Sequence, residues 1–142
     1  MDIDVKGIRA IAHRLPKLII PKPTKSYVLE TLHGFPLYID PVNDKGVEKS
    51  LHYTGTYEKG TMQVLEQLIK PNETFIDVGA NIGLMSIHAA NLVGNKGSVI
   101  AFEPNPNTLK SLEKNIALNN LNNIETSKYA LGNEGGESKI YN

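Results

Sequence analysis

No cysteine occurs among the 142 residues, which excludes disulfide staples and thiolate metal sites and fits a reducing compartment. An excess of one charge is also missing. Fifteen basic residues balance fifteen acidic ones, so no electrostatic reason exists to expect a nucleic acid or an anionic membrane as partner. No apolar run approaches the roughly 20 residues of a membrane span. The opening segment, MDIDVKGIRAIAHRLPKLII, begins with acidic residues, and Arg9, His13, Arg14 and Lys17 interrupt its apolar positions, unlike a signal peptide. The expectation is a cytoplasmic chain without nucleic-acid or membrane partners. His13, His33, His52 and His88 show no metal-ligand spacing, and the turn DPVNDKG lacks the alternating acids and distal glutamate of a calcium loop, so no metal is expected. Asn72-Glu73-Thr74 reads as a turn.

What is present is an ordinary globular composition, 40% hydrophobic and 21% charged, at a length suited to one compact domain. Three segments are expected. Residues 1–25 read as an amphipathic helix over 3–15 followed by an arm broken by Pro16, Pro21 and Pro23. Residues 26–60 hold a β-hairpin, SYVLETL and FPLYID, turning at His33-Gly34. Residues 61–142 begin with a helix over 61–70, its inner face Leu65, Leu68 and Ile69, ended by Pro71.

From there the pattern becomes strand, helix, strand, helix, strand. TFIDVG is a strand; GLMSIHAANLV is a helix with Met85, Ala89 and Leu92 on one stripe; SVIAFE is a second strand. Asn105-Pro106 opens a helix as N-cap and first-turn proline, with Leu109, Leu112 and Ile116 inward. IETSKYA is the third strand, polar enough for a sheet edge, whereas the first two are nearly continuously apolar, as strands covered on both faces should be. This βαβαβ order gives an α/β, Rossmann-like parallel half-sheet, with right-handed crossovers.

Ligands of such sheets bind beyond the carboxyl ends of the strands. Asp77 and Glu103 stand at those ends, beside the turn Gly79-Ala80-Asn81-Ile82-Gly83. Glu103 lies at the distance downstream where these units place a ribose-binding acid, which can accept from both hydroxyls of the diol. The turn reads G-x-N-x-G, so Asn81 stands where a dinucleotide site needs its second glycine, and no phosphate-loop GKS or GKT follows. Asp77 repels phosphate and attracts a cation. A ribonucleoside bearing an amino acid and a positive sulfur fits these residues: S-adenosylmethionine. Two other readings stay open, a non-catalytic nucleoside-binding module that needs a partner chain and an NAD-dependent oxidoreductase.

FIDVGANIGLMS, followed by GSVIAFEPNPNTLKSLEKNIALNNL and preceded by GTYEKGTMQVLEQLIKPNET, resembles the FkbM family of S-adenosylmethionine-dependent methyltransferases over roughly residues 30–140. The resemblance implies O-methyl transfer to a small-molecule or glycan hydroxyl. It places Asp77, Gly79, Asn81 and Gly83 around the methionine part of the cofactor, Glu103 on the ribose, Asn105 and the Ala130-Leu131 turn near the adenine, and Tyr57 and Glu58 as closing residues. It assigns no catalytic base here. Family members continue with a fourth strand beside the first, and the sequence stops before any such segment. The expectation is therefore a fragment, or an open strand edge covered by the N-terminal segment or by a second copy through self-association.

Overall fold

The computed structural model describes residues 20–44 and 46–137, so the helix expected over 3–15 lies outside the described residues. The chain divides into two units, Met1–Lys59 and Gly60–Asn142.

In the first unit, strand β1 (Tyr27–Glu30) pairs antiparallel with β2 (Pro36–Ile39), Tyr27 opposite Ile39 and Glu30 opposite Pro36. The hairpin closes where the hydroxyl and N–H of Thr31 both donate to the Phe35 carbonyl, at 2.7 and 3.1 Å. Helix α1 (Val47–Thr54) has no counterpart in the sequence reading. Its sequence, VEKSLHYT, offers no apolar stripe of helical period; it is held instead by single anchors. Leu51 is wholly buried with Leu29, Leu37 and Ile39. His52 Nε2 donates to the Pro21 carbonyl at 2.8 Å, which leaves Nδ1 to accept from the Tyr27 hydroxyl at 2.7 Å. Gly55, left-handed at φ 72°, closes the helix by donating to the Leu51 carbonyl.

Helix α2 (Lys59–Leu68) leads into the second unit. Its inward side is Met62 with half-buried Leu65 and Ile69, whereas Leu68 is exposed. The expected stripe is thus turned by about one position. Strands β3 (Thr74–Val78), β4 (Ser98–Phe102) and β5 (Ile124–Ser127) form a parallel sheet in that order. Asp77 stands opposite Ala101, and Val78 opposite Phe102. Helix α3 (Leu84–Val93) joins β3 to β4, and α4 (Pro106–Leu118) joins β4 to β5. The third strand stops at Ser127, short of the expected Ala130.

Both helices lie on one face. Ala89, Ala90 and Val93 of α3 pack with Val99, Phe75 and Ile124. Leu112 and Ile116 of α4 pack with Ala101, Ala80 and Ile124. Helix α3 is buried nearly all round, with Met85 and Leu92 of the expected stripe only half-buried and Leu84, Ile87 and Ala90 deeper. The expectation that β3 is covered on both faces fails: Ile76 is 56% and Val78 61% exposed. The physical reason is topological. A strand order that advances steadily in one direction, with crossovers of one hand, puts every connecting helix on the same side. No helix among the described residues is long and apolar enough to cross a membrane.

Gly97, at the entrance to β4, has no room for a side chain: a Cβ there would stand 2.5 Å from Val93 Cβ and 2.7 Å from the Glu73 carbonyl oxygen. Gly97→Ala is expected to lower unfolding stability by about 1–3 kcal/mol, since backbone and helix must shift to admit the methyl. Urea denaturation of the two proteins checks this.

Candidate functional site

The chain turns sharply as it leaves β3. Gly79, Asn81 and Gly83 all have positive φ, at 83°, 51° and 96°. Asparagine is among the few side-chain-bearing residues that tolerate this region, which accounts for the G-x-N-x-G spacing. A Cβ on Gly83 would stand 2.6 Å from Leu112 Cδ1, so this glycine also lets α4 pack against the turn. Gly79 has open space where a side chain would project. The turn is stitched to the neighbouring strand, for the N–H groups of Gly79 and Ala80 both donate to the Phe102 carbonyl at 2.9 Å.

Glu103 follows immediately. Its Oε2 accepts from the Asn81 N–H and its Oε1 from the Asn105 N–H, both at 2.9 Å, and the residue is 8% exposed. One carboxylate therefore holds the turn after β3 and the loop after β4 at a fixed separation. Each oxygen keeps a lone pair beyond the one used. Asn105 is the N-cap of α4, its Oδ1 accepting from the N–H groups of Asn107 and Thr108 at 3.0 and 3.3 Å.

Asp77 is buried, and its Oδ2 accepts from the Ser86 hydroxyl at 2.6 Å. Burial raises its pKa above the ordinary 3.8; the Ser86 hydroxyl and backbone N–H pull it down, and the negative charge of Glu103 pushes it up. Asp77 and Glu103 thus share one neighbourhood at the tips of adjacent parallel strands. Of the residues singled out in the sequence, Asp77, Gly79, Asn81, Gly83, Glu103 and Asn105 come together here. Tyr57 and Glu58 belong to the first unit, Glu58 with φ 47°. Ala130 and Leu131 are exposed beyond the end of β5.

Two buried polar residues were missed. Ser86, wholly buried in the first turn of α3, reaches back to Asp77. Asn115, wholly buried in α4, donates to the Ile82 carbonyl at 2.9 Å and so pins the far side of the turn. Its signal was legible: a polar residue three positions after Leu112 and one before Ile116 interrupts an apolar stripe. His88, also on α3, faces away toward α2, its Nε2 3.3 Å from Glu66 Oε1; burial lowers its pKa and Glu66 counters.

The model of the TRM5/TYW2 methyltransferase domain matches residues 43–130, well over half of the chain. The chain belongs to this family. The match supports the methyltransferase class that the FkbM resemblance implied, and not the FkbM family specifically. A curated relative, the ribosomal protein L11 methyltransferase of Bacillus cytotoxicus, is 40% identical over 73 residues, which are 50% of this chain and 23% of that protein. The chain thus spans under a quarter of that relative's length. Among solved structures, TYW2 of M. jannaschii in complex with AdoMet is 23% identical, with a TM-score of 0.55, over 73% of this chain and 43% of that one. TYW2 of P. horikoshii in complex with MeSAdo is 24% identical, with a TM-score of 0.54, over 76% and 37%. At these identities the two structures speak to the fold, and they agree with a Rossmann-like methyltransferase-type sheet.

The raised pKa of Asp77 has a consequence within this domain family member. The folded state holds this proton more tightly than the unfolded chain does, so the contribution to stability is full below the ordinary aspartate pKa and is lost as pH rises through the raised one. Asp77→Asn is expected to remove that part of the pH dependence and to gain on the wild type as pH rises. Urea unfolding across the acid range checks the sign.

Proposed function

We propose that the second unit holds S-adenosylmethionine at the carboxyl ends of β3 and β4 and that the protein is a methyltransferase. The observation that carries this reading is Glu103. A buried carboxylate already oriented by two backbone N–H groups, with a lone pair left on each oxygen, is built to accept from a vicinal diol. The open space at Gly79 admits a ligand close to the backbone, and the acid pair favours a cationic ligand over a phosphorylated one. Family membership, and the AdoMet and MeSAdo named with the two TYW2 structures, support the same cofactor.

When bound, S-adenosylmethionine supplies a methyl group on a sulfonium. The protein's part is alignment and exclusion of water. In this reading Glu103 holds the ribose, Asp77 receives the α-ammonium group, the Gly79–Gly83 turn lies along the methionine part, and Asn105 with Ala130-Leu131 borders the adenine.

For the acceptor, the balanced charge and the FkbM resemblance favour a hydroxyl of a small molecule or glycan. The second unit has six lysines and no arginine against eight acidic residues, so its net charge does not draw a polyanion. A macromolecular acceptor, RNA or protein, is the second reading, favoured by the family match and by the ribosomal protein in the name of the curated relative. The exposed apolar residues of β3 belong to the same proposal as a surface for self-association.

Calorimetric titration is expected to show binding of S-adenosylhomocysteine and none of NAD; the reverse result would overturn the cofactor assignment and favour an oxidoreductase. Glu103→Ala should weaken binding by about 1.5–3 kcal/mol, the scale of hydrogen bonds to a charged group. Labelled-methyl assays with glycan, protein and RNA acceptors then choose the substrate class, and cofactor binding without transfer to any of them would favour the non-catalytic module.

A further inference from the structure

Ser86 is wholly buried, yet it carries a hydroxyl and sits in the first turn of a helix. Its hydroxyl donates to Asp77 Oδ2 at 2.6 Å. A carboxylate offers about four lone-pair positions, so about three remain for another partner. Its neighbours Ile87, Ala89 and Ala90 are apolar and buried. We infer that Ser86 is a positioning residue, which locks the orientation and charge of Asp77 so that its remaining lone pairs meet the ammonium end of the cofactor. This inference rests on the cofactor reading above.

Among the described residues, few groups face Asp77. Glu103 approaches from beyond β4 and Ser86 from α3. His88, further along α3, is paired toward Glu66 of α2. Burial and Glu103 both disfavour the charged form of Asp77, and the donors of Ser86 oppose them. Removing the hydroxyl leaves the carboxylate freer to rotate and easier to protonate.

The test compares two ligands by calorimetry on the full chain across pH. S-adenosylhomocysteine carries the amino-acid end, and 5′-methylthioadenosine lacks it. Ser86→Ala is expected to weaken S-adenosylhomocysteine about tenfold, the lower end for a hydrogen bond to a charged group, and to leave methylthioadenosine unchanged. The pH midpoint for S-adenosylhomocysteine binding should move upward. Ser86→Cys, nearly isosteric with a weak donor, should fall between the two proteins and serves if the alanine variant does not fold. Equal weakening of both ligands, or of neither, overturns the inference and leaves a packing role. Asp77→Asn separates the two levels of the argument: selective loss of S-adenosylhomocysteine with no effect of Ser86→Ala refutes Ser86 alone, whereas an unaffected Asp77→Asn refutes the placement of the ammonium group and Ser86 with it.

Discussion

Glu103 holds the two loops of the site together. Its carboxylate spans the gap between the N–H of Asn81, in the turn after β3, and the N–H of Asn105, at the entrance to α4. Both bonds are charge-assisted and the residue is nearly dry, which is where such bonds are strongest and an unpaired partner is most costly. Much of the local design follows from this contact. Asn81 offers its N–H from the left-handed region, and Asn105 gives its N–H to Glu103 while its side chain caps α4. Asn115 closes the arrangement from behind by taking the Ile82 carbonyl. The turn is thus tied at three places, to β4, to Glu103 and to α4.

The layering sets what surrounds that site. Three parallel strands in sequential order place α3 and α4 together, and the inner face of the sheet, Phe75, Asp77, Val99, Ala101 and Ile124, is shared between them. Asp77 is the one acid in that row. It is tolerated at the end of the row because the first turn of α3 has unspent N–H donors and a serine there, and because negative charge is favoured at a helix N-terminus. On the opposite face Ile76 and Val78 stay exposed among the described residues, apolar side chains on an edge strand that parallel sheets ordinarily bury.

Some of this was legible in the residues. Asn105-Pro106 announced the start of α4 because capping is local chemistry, written in two adjacent side chains. The alternation of apolar runs and glycine turns gave the βαβαβ order, and the six residues of the turn and strand ends that were singled out do converge. The unread parts depend on distance in the chain. Helix α1 is held by Tyr27 and Pro21, more than twenty residues upstream of His52, so its own eight residues carry no sufficient pattern. The exposed face of β3 cannot be inferred from an apolar run, since such a run records what the strand can bury and not what arrives to bury it. Ser86 looked like an ordinary helix residue because serine is common in first turns, and only the position of Asp77 gives it a partner.

The two acids of the site are held in different ways, and the difference bears on their proposed work. Glu103 is gripped by main-chain donors from two segments, which cannot rotate away, so its geometry is as fixed as the backbone. That suits a rigid ribose, whose two hydroxyls present a constant spacing. Asp77 is gripped from one helix turn, and beside a like charge that raises the energy of its ionised form. A ligand that brings a positive charge relieves that repulsion, while a neutral or anionic one does not. Selectivity for the cationic end of a nucleoside would then come from the discomfort of Asp77 when the site is empty as much as from any contact made when it is filled, with Glu103 serving both as ribose acceptor and as the charge that creates the preference.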